Sequence, residues 1–192
     1  MNLPLARARG MAAASAVVCL GLGSSQAAGT DGVLADVQPD PGGASGIVRG
    51  QVDIDAPADV VWSTILDCGL AHRMAPSVRK CEVVQRDPAG RWDIRRMHVQ
   101  WNAFLPGFST TFRSDFEPLR RIRFRCTAGD IAFCEGEWRL DPLPDGGVRV
   151  TYQNRATAPF PAPPAITRFA MKMDVADALK ALRRESLAAA GD

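Results

Sequence analysis

Residues 78–155 contain six consecutive segments of strand length, separated from one another by turn-forming residues. The alternation of side chains is sharpest in residues 121–126, where arginines take one phase and Ile122, Phe124 and Cys126 take the other. Such alternation is typical of a sheet with one exposed and one covered face, and consecutive strands with short links pair as an antiparallel meander. The six segments are 78–86, 92–101, 109–116, 121–127, 133–140 and 148–155.

The segment that can cover this sheet is the C-terminal one, because residues 165–190 contain neither glycine nor proline. This composition predicts one long helix. At helical spacing, Phe169 and Met173 share one face, whereas Leu179 lies nearer the opposite face. Two interpretations of this shift stay open: the helix bends or rotates across the sheet, or its second half buries both sides, one of them against a partner or a ligand.

Ahead of the meander, residues 47–54 alternate apolar and polar side chains and predict one more strand. Pro57 suits the first position of a helix, where its missing N–H is not needed, and apolar residues then recur at helical spacing until Gly69. The chain turns through residues 70–76 before the meander begins. The predicted order is therefore strand, helix, six antiparallel strands and a long helix.

The N-terminal residues have the pattern of a secretory signal peptide. Arg7 and Arg9 precede an apolar run over residues 11–22, and small residues follow it. The run is shorter than the roughly 20 residues that cross a bilayer. We therefore predict a signal peptide over residues 1–27, cleaved after Ala27, and a periplasmic or secreted mature protein. Residues 28–45, rich in Gly, Pro and Asp, predict a flexible leader ahead of a domain at 46–190.

Charge and composition exclude several classes of protein. Hydrophobic residues make up 46% and charged residues 23% of the chain, which are values typical of a globular domain. The net charge of +2 comes from 23 basic and 21 acidic residues, and cleavage would remove Arg7 and Arg9 but no acid. A mature protein without net charge has no basic surplus for a phosphate backbone, so we expect no nucleic-acid partner.

The predicted mature protein has four cysteines, and an even number in an exported chain indicates disulfides. Cys126 and Cys134 flank a turn almost symmetrically, so a hairpin would set them opposite each other. Cys68 ends the first helix and Cys81 lies in the following strand, so this pair would close the intervening turn. The close pairs of ligands that zinc sites require are missing, and we predict no metal.

Several segments resemble a known family. They are Ala-Pro-Ala-Asp-Val-Val-Trp at 56–62, Met-Ala-Pro-Ser-Val at 74–78, and Gly-Glu-Trp-Arg-Leu at 136–140, followed by an Asp-Gly-Gly turn and Tyr152. They are similar to the polyketide cyclase/dehydrase and coenzyme Q-binding branch of the START-like (helix-grip, SRPBCC) superfamily. The resemblance implies an α+β fold in which a curved antiparallel sheet of about seven strands wraps around a long C-terminal helix, with an apolar cavity between them.

The same resemblance implies that inward-facing side chains line a ligand site, whereas without it a filled core of the same residues is the better interpretation. Gly136 lies among large residues on the inward phase of its strand, so the cavity wall is expected to be thin there and to let a ligand approach. Four bulky apolar residues in the turn at 102–108 are unusual. They predict packing over the core, a mobile lid over the cavity, or a tip that touches a membrane during lipid transfer. The predicted ligand-binding residues are Phe104, Leu105, Phe108, Phe112, Phe116, Phe124, Gly136, Trp138, Tyr152, Phe169 and Met173.

Our first hypothesis is an exported, monomeric protein that binds or transfers one hydrophobic small molecule such as a lipid, sterol-like compound, quinone or polyketide, without a cofactor. The alternative is a cofactor-free cyclase or dehydratase that acts on a polyketide-like substrate through Tyr152, His98 and Arg96. The interpretation of His98 without a catalytic role is a side chain on the face of the sheet. A third hypothesis, an interaction module that uses the second apolar stripe of the last helix, needs no cavity.

Overall fold

The computed structural model describes residues 32–100 and 106–191, in which one antiparallel sheet of eight strands is combined with three helices. The helices are α1 (Ala58–Leu66), α2 (Ala71–Met74) and α3 (Pro164–Gly191). The strands are β1 (Leu34–Gln38), β2 (Gly46–Ile54), β3 (Val78–Arg86), β4 (Trp92–Val99), β5 (Phe108–Glu117), β6 (Arg121–Gly129), β7 (Cys134–Pro142) and β8 (Val148–Ala156). Their order across the sheet is β1-β2-β8-β7-β6-β5-β4-β3.

This architecture confirms the α+β prediction of a curved antiparallel sheet with a long C-terminal helix. Strands β3 to β8 pair consecutively, as a meander requires, and β2 pairs with β8. The short helix α2 forms within the region where the sequence predicted only a turn. The helix α3 spans nearly the predicted residues.

Strand β1 is the main difference from the sequence prediction, because it lies inside the predicted flexible leader. Its residues pair with β2 in antiparallel register, from Leu34 opposite Gln51 to Gln38 opposite Ile47. Val33, just before the strand, is buried in the core. The Gly, Pro and Asp residues around it indicated a leader, but pairing with β2 and packing on α3 stabilise an extended segment that has little local preference of its own.

The hydrophobic core lies between α3, α1 and the strands β2 and β8. Its fully buried side chains are aliphatic, and they include Val52, Ile54, Val150, Leu179 and Leu182. The helix approaches β2 closely at Gly50, where a Cβ would stand 2.5 Å from Leu179 Cδ1. A residue without a side chain is therefore needed on β2 for this packing. In the described part of the chain, no helix combines the length and apolarity that a membrane span requires.

Both predicted disulfides are present. Cys68–Cys81 connects the chain just after α1 to β3, with 5.2 Å between the Cα atoms. Cys126–Cys134 connects β6 to β7, with 5.1 Å between the Cα atoms. The first holds the α1–α2 region against the edge strand β3. The second joins the end of β6 to the start of β7 and closes their hairpin beside the turn.

Candidate ligand cavity

A cavity of about 320 Å³ lies between the sheet and the helices. Its wall is formed by inward-facing side chains of β4 to β8, by residues of α1 and α2, and by Ala178 of α3. Most of these side chains are aliphatic or aromatic. The volume falls at the lower end of the range of small-molecule sites, which is about 300–1,000 Å³.

Four aromatic side chains form a continuous wall of this cavity. The Phe124 ring lies with its centroid 6.0 Å from that of Tyr152 in a stacked arrangement, and 6.3 Å from that of Phe112 in an edge arrangement. Trp138 contacts the other side of this group, 4.4 Å from the Tyr152 centroid. The predicted alternation of β5 to β8 thus places these four rings on the inner face, beside the cavity.

Two predicted ligand residues, one on β5 and one on β7, do not line the cavity. Phe116 makes an edge contact with Trp62 of α1, at 6.0 Å between centroids, and helps to join α1 to the sheet. The space beside Gly136 is occupied by neighbouring atoms. A Cβ there would clash with Phe124 Cζ and with the backbone oxygen of Gln153. The thin wall predicted at Gly136 is therefore occupied by the Phe124 ring and by β8.

Phe169 and Met173, also predicted as ligand-binding residues, are 67% and 43% exposed and lie outside the cavity wall. The opposite face of α3, which bears Leu179, packs on the sheet instead. The two faces of the helix are similarly apolar, so helical periodicity could not identify the inner one. Phe108 is buried at the start of β5 but does not line the cavity. Phe104 and Leu105 lie outside the described residues.

Sequence reasoning missed the charged part of the wall, which is a buried ion pair on β4. Arg95 Nε donates to Asp93 Oδ2 at 2.9 Å, and Arg95 Nη2 lies 2.8 Å from the same oxygen. The two residues are 5% and 1% exposed, and the arginine lines the cavity. Arg96, which the sequence favoured as a catalytic candidate, points to the outer face and is exposed.

Strand β4 carries apolar side chains on its outer phase. Trp92 and Ile94 lie there, and the Arg113 guanidinium covers the Trp92 ring at 4.4 Å. The inner phase instead holds Asp93 and Arg95. A signal was available in the sequence, namely an acid and a base two residues apart in a strand, which is the spacing that puts both on one face.

Polar groups from β8 face the cavity on the other side. Burial raises the pKa of the Tyr152 hydroxyl well above its usual value, and this effect outweighs the hydrogen bond from the Asn154 side chain, which lowers it. Tyr152 therefore stays protonated at neutral pH. Asn154 also lines the cavity, and its Oδ1 is buried with no hydrogen-bond partner among the described residues.

The other catalytic candidate, His98, is away from the cavity. Its side chain is exposed on the outer face of β4, with Nδ1 3.2 Å from Ser109 Oγ. Of the three catalytic candidates, only Tyr152 borders the cavity. In the described ranges no group of three or more His, Cys, Asp or Glu side chains is placed to hold a metal ion.

Comparison with known proteins agrees with this geometry. The model of the family "Polyketide cyclase / dehydrase and lipid transport" matches residues 54–183. No curated protein matches the chain.

Solved structures of low sequence identity share the fold. A STAR-related lipid transfer protein from Xanthomonas axonopodis has a TM-score of 0.71 and 22% identity, over 84% of this chain and 97% of that one. The Zhui aromatase/cyclase from Streptomyces sp. R1128 has a TM-score of 0.59 and 21% identity, over 76% and 93%. Human STARD10 has a TM-score of 0.69 and 11% identity, over 81% and 69%. With a helix-grip fold, a cavity and a family model that matches most of its length, the chain belongs to the polyketide cyclase/dehydrase and lipid transport family.

Proposed function

We propose that this protein is an exported carrier that holds one hydrophobic small molecule in the cavity between the sheet and α3. The observation that supports this most strongly is the cavity itself, which has aromatic and aliphatic walls and few polar groups. Removal of apolar ligand surface from water supplies roughly 25 cal/mol per Å². Burial alone therefore gives useful affinity, and no reaction chemistry is needed for storage or transfer.

The groups in the wall favour carriage over catalysis. Tyr152 stays protonated at neutral pH, so it donates a hydrogen bond but does not serve as a general base. Arg95 is held in a buried ion pair by Asp93. Cyclisation by positioning alone is the second candidate function, supported by the fold shared with an aromatase/cyclase, and it would require that the bound molecule change chemically in the cavity.

Export and membrane contact complete the proposal. The sequence of residues 1–27 and the two disulfides favour an oxidising compartment outside the cytoplasm. Phe169, Met173 and Ile166 expose apolar surface along the first half of α3, which suits a transient contact with the membrane that supplies or receives the ligand.

The experiment that tests carriage fills the cavity. Ala178 lines it from α3, so the substitution Ala178→Phe places a ring in the ligand volume. Ala188 lies on the same helix but is exposed, so Ala188→Phe is the matched control. Binding of the neutral hydrophobic dye Nile red by the mature protein is measured by fluorescence, and unfolding by circular dichroism confirms that both variants fold.

We expect Ala178→Phe to lose dye binding at least tenfold, while Ala188→Phe binds as the wild type does. Equal binding by both variants would place the ligand elsewhere and contradict the carrier proposal. Conversion of a polyketide-like substrate by the wild type, detected by mass spectrometry, would instead establish the cyclase.

A further inference from the structure

The strand register places the polar groups of the cavity at its two sides. One row of paired residues crosses the inner face from β4 to β8. The two ends of this row are polar, and its middle is the Phe124 ring beside Gly136. The row consists of Asp93, Ser114, Phe124, Gly136 and Asn154.

Each end of the row has a buried oxygen without a hydrogen-bond partner in the described part of the chain. These atoms are Asp93 Oδ1 and Asn154 Oδ1. A buried polar group with no partner costs about 1–3 kcal/mol, so a ligand that supplies the partner is favoured over one that does not. On the β8 side, Asn154 borders the cavity and requires a donor.

On the β4 side Asp93 does not line the cavity; the residue that does is Arg95, which requires an acceptor. Arg95 uses Nε and Nη2 to bond Asp93, and a guanidinium has further N–H groups that can donate to an acceptor in the cavity. Because the Asp93 carboxylate already balances the charge, a second anion would gain little attraction and would lose its hydration. The acceptor that fits is therefore a neutral hydroxyl or carbonyl oxygen.

The separation of the two ends sets the shape of the ligand. Strands β4 and β8 are four inter-strand steps apart. At about 4.8 Å for each step they are roughly 19 Å apart along the sheet, and curvature shortens the direct path. Between them the wall is aromatic, with Phe112 and Phe124 in contact.

We propose that the cavity selects a neutral, elongated molecule that is apolar in the middle and polar at both ends, with an oxygen acceptor at Arg95 and a hydroxyl donor at Asn154. This inference rests on the proposed carrier function and narrows its ligand class. It disfavours simple fatty acids, which are anionic at one end and have no polar group at the other.

The test compares three ligands of one chain length by displacement of Nile red from the mature protein. They are dodecanediol with a hydroxyl at each end, dodecanol and dodecanoic acid. We expect the diol to displace the dye at about tenfold lower concentration than the monoalcohol, which is the effect of one hydrogen bond to a buried acceptor. The acid should be the weakest of the three.

Substitution then assigns the donor end. Asn154→Leu should reduce the advantage of the diol over the monoalcohol to less than twofold and leave monoalcohol binding undiminished. Gln153→Leu is the matched control, because Gln153 is the neighbouring residue of β8 and is exposed; it should retain the full advantage.

Three results would overturn the inference. They are equal displacement by diol and monoalcohol, strongest binding of the acid, or an equal loss of both alcohols in Asn154→Leu. Each of these leaves the carrier proposal standing, since the dye still binds in the cavity. Failure of the wild type to bind Nile red or any of the three ligands would contradict the carrier proposal itself, and the inference would fall with it.

Discussion

The two ends of the space between sheet and helix are packed differently. At the β2–β8 end, Val52, Ile54 and Leu179 are at most 1% exposed, and the helix lies directly on the strands. At the β4–β7 end, Phe112 and Phe124 contact each other along the wall but remain only partly buried, because the cavity lies in front of them. The helix packs on β1 and β2 and reaches the cavity through Ala178.

The difference shows how one sheet serves both stability and binding. Small branched side chains interdigitate and, together with Gly50, allow close approach of α3. Aromatic rings that stack on one another form a wall that does not need a helix to cover it. Stability should therefore depend mainly on the first end, and ligand affinity mainly on the second.

The largest expected effect is that of Leu179→Ala, which creates a cavity in the packed end. We expect the free energy of unfolding to fall by about 2 to 5 kcal/mol in urea denaturation. Phe124→Leu, at the hollow end, should cost only about 1 kcal/mol, because the shortened side chain borders space that already exists. Equal costs for the two variants would contradict the distinction between the ends.

Removal of the Cys126–Cys134 disulfide should have the next largest effect. Replacement of both cysteines by serine opens a loop of 8 residues, and we expect unfolding to become easier by about 2 to 3 kcal/mol. Because Cys134 and Ile131 border the cavity, dye release in stopped-flow measurements should also become faster. The serine variant of Cys68 and Cys81 is the comparison, since neither of these residues lines the cavity. Unchanged stability in both variants would exclude a structural role for the disulfides.

Gly50→Ala tests the close approach at the packed end. The added methyl group would stand 2.5 Å from Leu179 Cδ1 and 2.7 Å from Val175 Cγ1. We expect a loss of about 1 to 3 kcal/mol in thermal unfolding from overpacking. Gly191→Ala is the control, because a Cβ at Gly191 has no neighbour within 4 Å. If both substitutions were neutral, the helix would have room to move away from β2.

The smallest expected effect is a pH dependence at the β1–β2 turn. The Asp40 carboxylate accepts bonds from Gly42 N at 3.0 Å, Ala44 N at 2.8 Å and Arg155 Nε at 2.7 Å. Burial alone would raise the pKa of this carboxyl, but the hydrogen bonds from Gly42, Arg155 and Ala44 outweigh burial and lower it. Its contribution to stability is complete above the unfolded pKa of about 3.9 and is lost as the pH falls through the lower folded value.

Asp40→Asn should remove that contribution, so the stability of the variant should change less between neutral and acidic pH than that of the wild type. Urea denaturation over this range measures the difference. Identical pH profiles would show that Asp40 is not coupled to folding.

The sequence predicted most of the fold, because its signals there are local. Alternation, turn residues and a helix without Gly or Pro placed the meander and α3 close to their observed bounds, and the cysteine spacing predicted both disulfides. Strand β1 was missed because its order depends on pairing with β2, which is a tertiary effect that local composition does not report.

The site was predicted less completely, for two physical reasons. On β4, the apolar residues Trp92 and Ile94 face outward while Asp93 and Arg95 are buried, so the usual rule of apolar residues inside does not identify the inner face. On α3, both faces are apolar, and only the packing of Leu179 identifies the inner one. Residues beside a cavity do not have to pack closely against another element. The apolar-inside pattern that close packing produces is therefore weaker there, and the sequence predicts those residues less well.

Native mass spectrometry of the purified protein tests the central claim most directly. If the hollow end is a ligand site, the spectrum should show one hydrophobic molecule bound to each chain, released by organic extraction and lost in Ala178→Phe but not in Ala188→Phe. A chain that shows only its bare mass, and that takes up no hydrophobic molecule when one is added, would contradict the account.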